Sequence, residues 1–129
     1  MGRFLLSVLF VFLFFVRSFG QSPVQKARQA LLQKDAKAFV QQAHTTLNLR
    51  ILAQEGVYSQ AQAGQLIQSF IKDYPPTSVH ISQVQEQKSK PHFFIGEWKT
   101  AQQKFRIYVL FKEVNGTERV HSFEVQSND

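Results

Sequence analysis

The chain of 129 residues contains no cysteine. That excludes disulfides, thiol catalysis and cysteine-based metal sites, and it excludes a lipid-anchored form, which needs a cysteine at its cleavage point. The domain has to hold by packing alone. Other signatures are missing too. There is no glycine-rich phosphate loop, no nucleophile elbow and no Ser/His/Asp arrangement. The four histidines, His44, His80, His92 and His121, show neither i, i+4 helical spacing nor clustering with carboxylates, so no metal site is expected. No cofactor motif is present. No internal repeat or low-complexity tract divides the chain.

One long apolar run exists, and it lies at the start. Phe4 to Val16 is an almost unbroken stretch of 13 residues behind the basic Arg3. Ser18-Phe19-Gly20 then places small residues at the −3 and −1 positions of a cleavage site before Gln21, the pattern of a secretory signal peptide. A run of 13 falls short of the ~20 residues that span a bilayer. The expectation is residues 1–20 as signal peptide and 21–129 as one domain, periplasmic or secreted, with no membrane attachment after cleavage. Arg17 just before the cleavage site is unusual and keeps an uncleaved anchor as the alternative. The mature segment keeps 13 basic residues against nine acidic ones, a net charge of +4. With scattered lysines and export, this reads as solubility or weak attraction to acidic surfaces rather than nucleic-acid binding.

The clearest pattern in the domain is Tyr58 to Tyr74. Ala63, Leu66, Ile67, Phe70, Ile71 and Tyr74 form one apolar helical stripe. Ser59 and Gln62 make a capping box, and Pro75-Pro76 stops the helix. Before it, Ser22-Pro23 opens a helix bearing Val24, Ala27, Ala30 and Leu31, and Asp35 caps a second one with Ala36, Phe39, Val40 and Ala43. Thr45 to Leu52 alternates as a strand, which Gln54-Glu55-Gly56 ends on the way into the long helix. Val79 and Ile81 mark another strand, followed by a polar loop or exposed hairpin from Gln85 to Lys90. His92 to Thr100 is apolar on both parities, which predicts a central strand covered on both faces. Lys104 to Lys112 follows through a hairpin at Ala101-Gln102-Gln103. Asn115-Gly116 signals a two-residue turn, and Arg119 to Gln126 returns, burying Phe123 and Val125 on one parity or Val120 on the other. Helices first and strands after predict an α+β fold, with helices packed on one face of a curved, mostly antiparallel sheet.

Tyr58-Ser59, Ala61, Ala63, Phe70, Phe94-Ile95-Gly96 and Phe105-Arg106-Ile107-Tyr108-Val109 together resemble the domain-of-unknown-function family numbered 4783, over roughly Val24 to Val125. The resemblance implies a short exported bacterial protein with a nuclear transport factor 2-like (cystatin-like) fold, a curved sheet forming a cone around helices. It carries no established activity. The chain departs from the family pattern at the 101–104 hairpin, which lacks the expected glycine, and at Ser82-Gln83, where a glycine is common.

A cone of this type can hold a pocket between the long helix and the sheet. The candidate lining is Tyr58, Tyr74, His80, Glu97 and Trp98. A small cofactor-independent enzyme of the ketosteroid-isomerase kind needs a carboxylate base in an apolar site with a donor opposite. Glu97 is the candidate base, with Tyr58, Tyr74 or His80 as donors. Against it stands a rim Glu97 paired with Lys99 or Arg106, and tyrosines that cap the core with their hydroxyls in water. The favoured expectation is a non-enzymatic module binding a protein or a small apolar ligand. Tyr108 and Leu110, beside one parity of the His92 to Thr100 strand, suggest an apolar outer patch for a homodimer or partner.

Overall fold

The computed structural model describes residues 22–84 and 93–128, and of residues 83 and 84 the backbone alone. The signal segment 1–20 and the polar stretch 85–91 expected above lie outside the described residues. Helix α1 (Pro23–Leu32) starts at the Ser22 cap and carries Val24, Ala27, Ala30 and Leu31 on its buried face. Its end is a Schellman motif. Lys34 sits at φ 59°, the Asp35 amide bonds the Ala30 carbonyl at 2.8 Å, and the Lys34 amide bonds that of Leu31 at 3.1 Å. These two bonds satisfy carbonyls that the helix end would otherwise leave open. Asp35 then caps α2 (Ala36–Val40) through the Ala38 amide.

Strand β1 (Ala43–Ile51) is followed by β2 (Gln54–Ser59). Here the structure corrects the sequence reading. Gln54-Glu55-Gly56 does not merely lead into the helix: it turns the chain back on β1 as an edge strand, Leu47 opposite Tyr58 and Leu49 opposite Gly56. Leu52 takes φ 56° at the turn. The strand hides in the sequence because its inward positions are Gln54, Gly56 and Tyr58, with too little apolar alternation to register. The Tyr58 ring lies along Gly56, so that a Cβ there would come within 3.1 Å of it.

Helix α3 (Gln60–Asp73) has the predicted capping box, with the Gln62 amide donating to Ser59 Oγ and the Ser59 amide donating to Gln62 Oε1, each at 3.3 Å. Its stripe buries Ala63, Ile67 and Phe70, while Leu66, Ile71 and Tyr74 are partly covered. Strands β3 (Ser78–Val84), β4 (Phe93–Lys99), β5 (Lys104–Val114) and β6 (Thr117–Ser127) complete a six-stranded sheet in the order β2-β1-β6-β5-β4-β3. Every pair is antiparallel except β1 with β6. The fold is α+β, with helices on one face of a mixed, curved, unclosed sheet.

The expectation that β4 is central and covered twice is overturned. It is next to the edge strand β3, and β6 and β5 occupy the middle. Phe94, Gly96 and Trp98 face the helices, whereas Ile95 and Glu97 face out and are exposed. The choice on β6 between Val120 and the Phe123/Val125 parity resolves as both. The β5–β6 register shifts between Leu110–Ser122 and Phe111–Val120, so His121 is an extra residue, a β-bulge that returns both sets to the inner face. Asn115 and Gly116 take φ 52° and 80° in the predicted turn. The hairpin without glycine at 101–104 is held by Thr100 instead. Its hydroxyl accepts from the Gln102 and Gln103 amides at 3.3 and 3.1 Å and donates to the Gln103 carbonyl at 3.0 Å. Among the described residues, no helix is long and apolar enough to cross a membrane.

Candidate functional site

The space between α3 and the sheet is filled with rings. Phe70 lies 5.3 Å from Tyr74, 5.6 Å from Trp98 and 5.3 Å from Phe105, centroid to centroid. Phe39 meets Phe123 at 5.3 Å, and Phe94 meets Phe111 at 5.0 Å. Edge-on and tilted packing of this kind adds to the burial of large apolar area. The space in which a cone could hold a pocket is here packed by aromatic core.

The five candidate lining residues are not brought into one site. Tyr74 and Trp98 do meet, through a hydrogen bond from the indole Nε1 to the Tyr74 carbonyl at 2.8 Å, which satisfies the indole of a side chain that is 1% exposed. Tyr58 precedes α3 and Tyr74 caps its end, so a helix about 21 Å long separates them. His80 and Glu97 are opposed across β3 and β4, on the outer face, away from Trp98. Glu97 is about half exposed and pairs with Lys104 at 3.6 Å, rather than with Lys99 or Arg106. A base of raised pKa needs an apolar enclosure, and an exposed lysine pair is a different environment.

Two features stand out on the outer face: an apolar patch at residues to which the sequence already points, and a cleft to which it does not. The first is an apolar strip: Phe93 opposite Leu110 and Ile95 opposite Tyr108. Ile95 is 36% exposed, and Phe93, Tyr108 and Leu110 are partly covered. Charges flank the strip on both sides. Glu97, Lys104 and Arg106 border one side, and the Arg50–Glu124 pair, 3.7 Å apart, borders the other.

The second is a cleft of about 280 Å³ where β1 parts from β6, lined among others by His44, Asn48, Lys112, Arg119 and His121. Ladder pairing lapses between Ala43 and Asn48. Gln60 Nε2 bonds the Ala43 carbonyl at 3.0 Å and the His44 carbonyl at 3.3 Å, holding this segment from the start of α3. His121, the bulge residue, lies 3.2 Å from Asn48 Nδ2 through its Nε2. Burial lowers the His121 pKa first, and the Lys112 and His44 charges lower it further. A histidine so placed is neutral at neutral pH.

A curved sheet carrying its helices on one face is the architecture of cystatin-like and nuclear transport factor 2-like proteins. The chain belongs to the DUF4783 family, a domain of unknown function, whose profile matches residues 24–126. Two solved DUF4783 structures share the fold. The protein from Bacteroides uniformis is 17% identical at a TM-score of 0.72, covering 81% of this chain and 96% of its own. That from Bacteroides ovatus is 15% identical at 0.71, covering 81% and 94%. A cystatin-like domain from Nostoc punctiforme reaches a TM-score of 0.59 at 7% identity, covering 83% of this chain and 74% of its own. The search of curated proteins gave no match.

Proposed function

We propose that this domain is an exported, non-enzymatic interaction module that works through the outer face of its sheet, and that its partner there is a second copy of the chain. The observation that carries this reading is the Phe93, Ile95, Tyr108 and Leu110 strip, which faces away from the helices. Partly exposed apolar residues grouped in this way mark contact surfaces. A two-fold contact presents one patch to itself and therefore needs a self-complementary surface. An apolar strip bordered by both signs of charge has that property, since Glu97 or Glu124 of one copy can meet Arg106, Lys104 or Arg50 of the other. The interior offers less to a small apolar ligand, because aromatic rings already occupy it. The isomerase reading draws no support from the surroundings of Glu97.

Molar mass by light scattering across a dilution series from about 100 to about 1 μM tests the reading. A dimer mass that falls toward the monomer on dilution is expected. A monomer mass at every concentration would contradict it.

A further inference from the structure

Lys112 and Arg119 are cross-strand partners, directly opposite one another on β5 and β6. Like charges so opposed destabilise a sheet. Among the described residues, neither forms an ion pair. They stand at the cleft between β1 and β6 beside His44 and His121, with Asn48 and Thr46 supplying neutral polar groups. Glu113 is the one carboxylate among the lining residues.

We propose that this cleft binds a small oxyanion, taking a phosphate or carboxylate group among Lys112, Arg119, His44, His121 and Asn48. Three features converge on that chemistry. Among the described residues the two opposed cations form no ion pair, with Glu113 the one carboxylate in the lining, and an oxyanion accepts hydrogen bonds from both at once. The cleft belongs to the backbone rather than to mobile side chains: the bulge at His121 and the lapse in β1–β6 pairing open it, and Gln60 secures the carbonyls of Ala43 and His44. Its volume of about 280 Å³ lies at the small end of ligand sites and suits a compact anion. The site is formed within one chain and does not depend on the dimer.

Binding strengthens on acidification. His121 faces His44 on β1, Lys112 and Glu113 on β5 and Arg119 on its own strand. Burial and the neighbouring cations keep it neutral at neutral pH, and a bound anion offsets those cations and favours its protonation.

The test is a titration of the purified protein followed by NMR of the histidine rings and backbone amides, at constant ionic strength set with chloride. Inorganic phosphate and succinate are the two probes. Saturable shifts at His44, His121, Lys112 and Arg119 with either probe support the site, and the probe that saturates at lower concentration identifies phosphate or carboxylate as the preferred group. A third series with sulfate, whose charge is constant over the range, is expected to give tighter binding at about pH 5.5 than at about pH 7.5. Arg119→Gln and Lys112→Gln should each weaken binding roughly tenfold, the loss of one charge-assisted contact, while Lys72→Gln, at an exposed position in the last turn of α3, leaves it unchanged. Shifts that rise linearly with every probe, or equal affinity in Arg119→Gln and the unaltered protein, would overturn the proposal.

Discussion

Lys34 occupies a backbone conformation that lysine adopts only at a cost, because its Cβ crowds the following carbonyl at φ 59°. Tertiary packing of α1 and α2 holds it there. Lys34→Gly removes that crowding and is expected to raise stability by about 0.5–1 kcal/mol in a urea melt, the benefit being reduced by the added freedom of the unfolded chain. Thr100 shows the opposite balance. It is 9% exposed, and its hydroxyl serves the three contacts that replace a turn glycine. Thr100→Val keeps the shape and strands the Gln102 and Gln103 amides, while the Gln103 carbonyl keeps its bond from the Thr100 amide at 2.8 Å, so a loss of about 1–3 kcal/mol is expected, with Thr100→Ser retaining most of the stability. His121 carries a pH signature of its own. Its folded pKa is below the unfolded value of about 6.5. The native state therefore binds this proton less readily than the unfolded chain, and the associated stability is present above the unfolded pKa and lost as pH falls through the folded one. In an NMR titration His121 should titrate below 6.5, and Lys112→Gln should move it upward.

At the scale of the element, legibility followed how far each signal was local. Helix α3 was readable because its stripe, its capping box and its Pro-Pro stop lie within one stretch of chain. Ser59→Ala tests that cap and should cost about 1 kcal/mol. The last hairpin was equally readable. Asn115-Gly116 sets a two-residue turn, and counting outward from it pairs Val114 with Thr117, Glu113 with Glu118 and Lys112 with Arg119. Half of the charged pattern at the cleft was thus available from the sequence. His44 and His121 were not, since their approach depends on a bulge and on a lapse in a parallel pairing between strands about 75 residues apart. Strand β2 escaped because its pairing with β1 rests on backbone hydrogen bonds more than on apolar side chains. The position of β4 was misjudged for a related reason. An outer face with Phe93 and Ile95 looks like a buried one when only residue types are visible.

For the molecule as a whole, the aromatic residues divide by sheet face. Those facing the helices make a ring-packed core in a domain without disulfides, and those facing out form the partly exposed strip proposed above as a contact surface. Glu97 lies on the outer face as well. Glu97→Gln should change stability by less than about 1 kcal/mol, as expected for an exposed pair with Lys104. The outer strip is proposed as a self-association surface, and Tyr108→Glu places a like charge on each copy at its centre. Sedimentation velocity of this variant beside the unaltered protein, at about 50 μM, tests the claim most directly. A dimer for the unaltered chain and a monomer for Tyr108→Glu, with matching far-ultraviolet circular dichroism, is the predicted result. The same sedimentation coefficient for both proteins would contradict it.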